Sequence, residues 1–161
     1  MSEKQLREHL YAQMKNRAMI YYHIFNEIRE EYGEEKATEI MKRAIYKRGL
    51  DVSKMLAEYG PADLRGLKDA FLRRIVPDEG RLHEPELRRC DNEALEIKFG
   101  RCPLKEAYQE AGLGEEEMAK MLEIAAQIDQ GTFEGAGFNF SVETWKPGKQ
   151  GCCHLHIRPG K

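Results

Sequence analysis

The chain has 161 residues, a formal charge of −2 and a sequence pI near 6.2, which suits one domain with a core that needs no disulfide or metal staples. Its charge balance gives no electrostatic reason to expect nucleic acid as a partner, and no apolar run reaches the ~20 residues of a membrane span. The start, "MSEKQLREHL", lacks the apolar core of a secretory signal, so a cytoplasmic location is expected, with the four cysteines as free thiols or ligands.

Residues 3–32 read as one long helix, because Leu10, Met14, Ala18, Tyr21, Phe25, Ile28 and Tyr32 recur every three or four positions. Gly33 ends it. A second helix carries Ala37, Ile40, Met41, Ala44 and Ile45, with Gly49 as its stop. Pro61 opens a third, bearing Leu64, Leu67, Phe71 and Ile75 and closed by Pro77. The period then changes. Asp91-Asn92 marks a turn between two strand-like runs, and Leu95, Ile97 and Phe99 alternate with Glu96 and Lys98. "CPLKEAYQEAG" reads as a short helix with Pro103 at its first position, and "EEEMAKMLEIAAQIDQG" as another. "FNFSVETW" and "CCHLHIR" close the chain as strands around "KPGKQG". The order is ααα-ββ-αα-ββ, an α+β fold with helices packed on a small, mostly antiparallel four-stranded sheet. A single domain, 1–161, comprises a helical half (1–77) and a sheet-containing half (78–161).

The hydrophobic pattern registers the last hairpin. Pairing Trp145 with Cys152 sets Val142 against Leu155 and Phe140 against Ile157, with Cys153 on that apolar face. Cys152, His154 and His156 then share the opposite face with Glu143 and Ser141. Cys153 is accordingly expected in the core, and Cys152 available for chemistry. Cys102 stands where a strand ends and a helix begins, between Arg101 and Pro103. A helix N-terminus and a neighbouring guanidinium both favour thiolate, so Cys102 is the candidate nucleophile. Strand alternation puts it on the polar side, with His154. His154 is the candidate general acid or base, and Glu143 or Asp129 would orient it.

Asp129 is placed at a helix C-terminus, where a carboxylate opposes the dipole. Gly131, Gly135 and Gly137 neither follow a strand nor open a helix, so they are read as a turn rather than a phosphate loop. Cys90, Cys102, Cys152 and His154 are enough in number for a metal, yet no pair has CxxC, HxxxH or HExxH spacing. No metal or cofactor is therefore expected, with zinc or an iron–sulfur centre as the alternative. The His-x-His of the last strand keeps both rings on one side.

"IYYHIFNEIREEYGEEKATEIMKRAIYKRG", "FGRCPLKEAYQEAG" and "AAQIDQGTFEGAGFNFSVETWKPGKQGCCHLHIRPG" together resemble the L-2-amino-thiazoline-4-carboxylate hydrolase family over nearly the whole chain. Cys102 matches the cysteine of that family's Arg-Cys-Pro-like step, Asp129 its aspartate, and Cys152 or Cys153 its terminal cysteine. The resemblance implies a small hydrolase acting on a C–N bond of a cyclic amidine or amide. Cys102, His154, Asp129 and Glu143 would be catalytic, and Arg101, Cys152 and His156 would hold the substrate. The order of elements also resembles the ligand-binding fold named after vinyl reductases, which implies a small-molecule pocket and leaves a homodimer open. The competing reading is a non-catalytic module that binds a small ligand or senses a metal or redox state.

Overall fold

The computed structural model describes residues 1–161, apart from the side chain of Glu79. Helix α1 (Glu3–Tyr32) begins at a capping box. The Ser2 hydroxyl accepts from the Gln5 N–H at 3.3 Å, and the Ser2 N–H donates to the Gln5 side chain at 2.8 Å. Met14, Ala18 and Phe25 of the expected stripe are buried, whereas Tyr32 at its end is exposed. Gly33, at φ +86°, turns the chain directly into α2 (Glu34–Ser53).

Helix α2 continues through Gly49 instead of stopping there. The glycine is a point of contact rather than a terminus. A Cβ on Gly49 would stand 2.4 Å from the Ile128 carbonyl oxygen and 2.8 Å from Gly131 Cα. Its absence lets α6 (Gln127–Gly135) cross α2 almost backbone to backbone. Helix α3 (Leu64–Ala70) is capped by Asp63, which accepts from the Gly66 N–H at 2.9 Å. One π-helical turn, Phe71–Ile75, follows before Pro77.

The sheet is antiparallel throughout, in the order β1-β2-β4-β3, with β1 Pro85–Cys90, β2 Leu95–Phe99, β3 Asn139–Glu143 and β4 His154–Arg158. Asp91 forms the β1–β2 turn by accepting from the N–H groups of Glu93 and Ala94 at 2.8 and 2.9 Å. Val142 pairs with Leu155 and Phe140 with Ile157, as the hydrophobic pattern requires. Leu95, Ile97, Leu155 and Ile157 form the fully buried face. Between the two hairpins lie α4 (Pro103–Glu110) and α5 (Glu115–Ala125), then α6. The second helical block thus has three helices where two were expected. The run ending in "QIDQG" breaks at Ala126, and "GTFEG", expected as a turn, is helical. The class is α+β as anticipated. Among the described residues, no helix is long and apolar enough to cross a membrane.

Candidate active site

A cavity of about 380 Å³ lies between the helices and the buried end of the sheet. Its wall is largely apolar, from Met14, Phe71, Val76, Leu104, Leu122 and Ile128. Into it project Arg17 and Tyr21 of α1, His83, Cys102, Asp129, Cys152 and Cys153. The fold therefore joins the "RCP" step, the aspartate and the closing cysteines, which lie far apart in sequence.

Cys102 is the residue before α4, in extended conformation at φ −147° and ψ 118°, with Pro103 opening the helix. Its thiol is held down to about 7, well below its ordinary value. Its neighbour Cys152 is the main cause and outweighs burial, which acts the other way. The Lys105 and Leu104 N–H groups and the Arg17 charge contribute further. The same contact, followed by that with Cys153 and by burial, pushes the Cys152 thiol upward. The Cys152 and Cys153 sulfurs are 3.5 Å apart, and all four cysteines are free thiols.

The expected roles of the two adjacent cysteines are exchanged in burial. Cys152 is only 3% exposed, while Cys153 is half-buried. Strand β4 starts at His154, so the alternation that assigned them does not extend to either. The Cys152 N–H donates to the Phe99 carbonyl at 2.9 Å, and the Phe99 N–H to the Cys153 carbonyl at 2.9 Å. These bonds hold the pair beside the end of β2.

Asp129 occupies the first turn of α6 rather than the last turn of a helix, so its position agrees with the dipole. Burial nevertheless pushes its carboxyl up to about 7, against the opposing pull of Arg17. His83 is driven down to about 4 by burial and then by the charges of Arg17 and Arg101. It is therefore a neutral imidazole at physiological pH. Burial likewise pushes the Tyr108 hydroxyl up. Arg17 Nε, His83 Nδ1 and Tyr108 OH are all enclosed without a hydrogen-bond partner among the described residues. Buried polar atoms are nearly always paired, and two of these, on Arg17 and His83, line the cavity, where a polar ligand would find them free.

His154, His156 and Glu143 lie elsewhere. Leu155 and Ile157 turn inward from β4, so the two histidines point to the other face of the sheet. There His156 meets Glu143 at 2.9 Å, and His154 Nδ1 stands 3.4 Å from the same carboxylate. Burial, followed by the charge of His156, lowers the His154 value. The pairing of Cys102 with His154, expected from strand parity, fails because Cys102 follows the last residue of β2 by three positions and has left its alternation. Arg101 is also turned away. It pairs with Glu106 at 2.9 Å and donates to the Tyr11 hydroxyl at 2.9 Å, tying α1 to α4.

Arg17, His83 and Tyr108 were not anticipated from the sequence. Arg17 did leave a signal. It follows Met14 by three positions and precedes Tyr21 by four, which puts a guanidinium inside an apolar stripe. His83 and Tyr108 belong to no such pattern.

No curated protein sequence matches the chain. Among solved structures, it is similar to trafficking protein particle complex subunit 3 from Naegleria fowleri, described as covalently bound to palmitic acid, at 14% identity and a TM-score of 0.56. The alignment covers 93% of this chain and 96% of that one, and at this identity it speaks for the fold alone. A family model described as L-2-amino-thiazoline-4-carboxylic acid hydrolase aligns with residues 12–157, a span that includes all the cavity residues named above. By that match over most of its length, the chain belongs to the L-2-amino-thiazoline-4-carboxylic acid hydrolase family.

Proposed function

We propose that the protein hydrolyses a cyclic amidine bearing a carboxylate, of the 2-aminothiazoline-4-carboxylate type, through a thiolate at Cys102. The observation that carries this reading is the convergence of a thiol held near 7, a carboxyl held near 7 and an unpartnered guanidinium in one partly apolar cavity. Near neutral pH a fraction of the molecules has Cys102 ionised and Asp129 protonated, the states that a nucleophile and a general acid require.

The Cys102 sulfur attacks the sp² amidine carbon, forming a C–S bond. Asp129 passes its proton to the heteroatom that leaves that carbon as the ring opens. The Asp129 carboxylate then takes a proton from water, which attacks the same carbon. The bond to Cys102 breaks, the thiolate returns, and the net change is addition of one water. Arg17 has donors free to receive the substrate carboxylate in a bidentate pair. Neutral His83, on the cavity wall, can hydrogen-bond the departing or attacking groups.

Alkylation tests this reading. Iodoacetamide should modify Cys102 with a midpoint near pH 7, as read by peptide mass mapping, and 2-aminothiazoline-4-carboxylate should slow it. Alkylation unaffected by saturating substrate would count against a shared site.

A second reading is favoured by the apolar share of the wall and by the fold shared with a palmitate-bearing protein. Here the cavity holds an acyl chain, and Cys102 carries it as a thioester without turnover. Intact mass measurement before and after neutral hydroxylamine separates the two. A long-chain acyl increment on Cys102 that hydroxylamine removes would support this reading; an unmodified and active protein would support hydrolysis.

A further inference from the structure

The face of the sheet turned away from the cavity gathers ligating side chains that hydrolysis leaves unused. His154 and His156 project from alternate positions of β4, their ring centroids 4.1 Å apart. In register, Glu96 of β2 lies beside His156, and Glu143 of β3 beside His154. We propose that Glu96, His154 and His156 bind a divalent transition-metal ion of the zinc type, with Glu143 orienting both imidazoles.

The spacing suits this. Each of the three offers one ligand atom, and the three atoms lie within 4.8 Å of one another. Two ligands at about 2.1 Å from a tetrahedral ion stand about 3.4 Å apart. The strand ladders fix the Cα positions, so closing that difference falls to side-chain rotation. The three side chains are only 20–23% exposed, so an ion there would be partly withdrawn from water. Glu143, by contrast, is 73% exposed and reaches in from the rim.

A second observation points the same way. His154 Nε2 is enclosed and has no hydrogen-bond partner, an uncommon state that coordination would relieve. Glu143 engages the other nitrogen of that ring, Nδ1 at 3.4 Å, and His156 Nε2 at 2.9 Å. A carboxylate holding ligating histidines in this way fixes their tautomer and direction. Arg158 donates to Glu96 at 2.9 Å and steadies the third ligand. Two imidazoles and a carboxylate suit zinc or its first-row neighbours better than magnesium or calcium, which favour all-oxygen sites. Three protein ligands leave a fourth position for water.

The test uses the full chain, stripped with chelator. Zn²⁺ is titrated against a chromophoric competitor, and Co²⁺ is followed by its absorption. The proposal expects one ion per chain and visible cobalt bands without the near-ultraviolet band of a cobalt–thiolate bond. Affinity should fall at least about 100-fold in His154→Asn, His156→Gln and Glu96→Gln, and about 10-fold in Glu143→Gln. Cys102→Ser and Cys152→Ser should bind as the wild type does. Circular dichroism checks each fold, and should one histidine variant unfold, the other two ligand variants decide. Failure of the wild type to bind stoichiometrically, binding that survives loss of both histidines, or a thiolate band that vanishes with the cysteines would each overturn the site. Turnover of the amidine does not enter this outcome, so the two proposals fail separately.

Discussion

Burial of Asp129 beside the cavity carries a thermodynamic signature. Its folded value of about 7 lies above its ordinary one, so its stabilising contribution is complete below about pH 4 and is lost as pH rises through 7. Wild type should therefore lose stability relative to Asp129→Asn between pH 4 and 7, by up to about 4 kcal/mol, and then level off. His83 acts with the opposite sign, since its value of about 4 means that stability is lost as pH falls from about 6.5 towards 4. The difference between urea unfolding curves of wild type and Asp129→Asn isolates the carboxyl, and a difference that is flat with pH would contradict its burial. Arg17→Gln should raise KM for 2-aminothiazoline-4-carboxylate roughly 10- to 100-fold, the loss of one charge-assisted pair. An analogue without the carboxylate should be turned over alike by both proteins, and equal effects on the two substrates would remove Arg17 from that role. Of these residues, Cys102 was singled out by its helix-start context, which the structure has, and Asp129 by a helix C-terminal position, which it does not. Arg17 was readable as a charge within the α1 stripe, whereas His83 is placed by tertiary packing that no local period encodes.

Among the elements, the contact of α2 with α6 positions Asp129. Gly49 and Gly131 meet at the crossing, and a Cβ on Gly131 would stand 2.2 Å from the Tyr46 carbonyl oxygen. Because the obstacles are backbone atoms, no side-chain rotation relieves them. Gly49→Ala and Gly131→Ala should each destabilise the protein by about 1–3 kcal/mol or more in chemical denaturation. Gly114→Ala is the control. It has an ordinary backbone at φ −65° and open space around its Cβ, so it should be neutral or gain up to about 1 kcal/mol. Equal stability of all three variants would contradict the close crossing. From sequence, a glycine late in a helical run and a glycine at a helix end look alike, which is why Gly49 was expected as a stop. The Asp91 turn and the register of the last hairpin rest on local chemistry, and each was legible, whereas the Ser2 capping box of α1 was not read from the sequence.

Across the whole molecule the sheet separates two chemistries. Its buried face, with the helices, encloses Cys102, Asp129, Cys152 and Arg17, while its other face carries Glu96, Glu143, His154 and His156. Composition and periodicity predicted the α+β class and the small antiparallel sheet, most clearly where β2 and β4 alternate, whereas β1 carries a bulge at Leu87–Arg89 and does not. They did not reveal which face the closing "CCHLH" serves, because the two cysteines precede the strand and are fixed instead by hydrogen bonds to Phe99. The separation can be tested in one assay, release of ring-opened product from 2-aminothiazoline-4-carboxylate at pH 7 by wild type, Cys102→Ser and His154→Asn. Catalysis by a Cys102 thiolate in the cavity requires that Cys102→Ser lose turnover by at least about 1,000-fold while His154→Asn retains it within a few-fold. A fully active Cys102→Ser enzyme, or an inactive but folded His154→Asn enzyme, would contradict it.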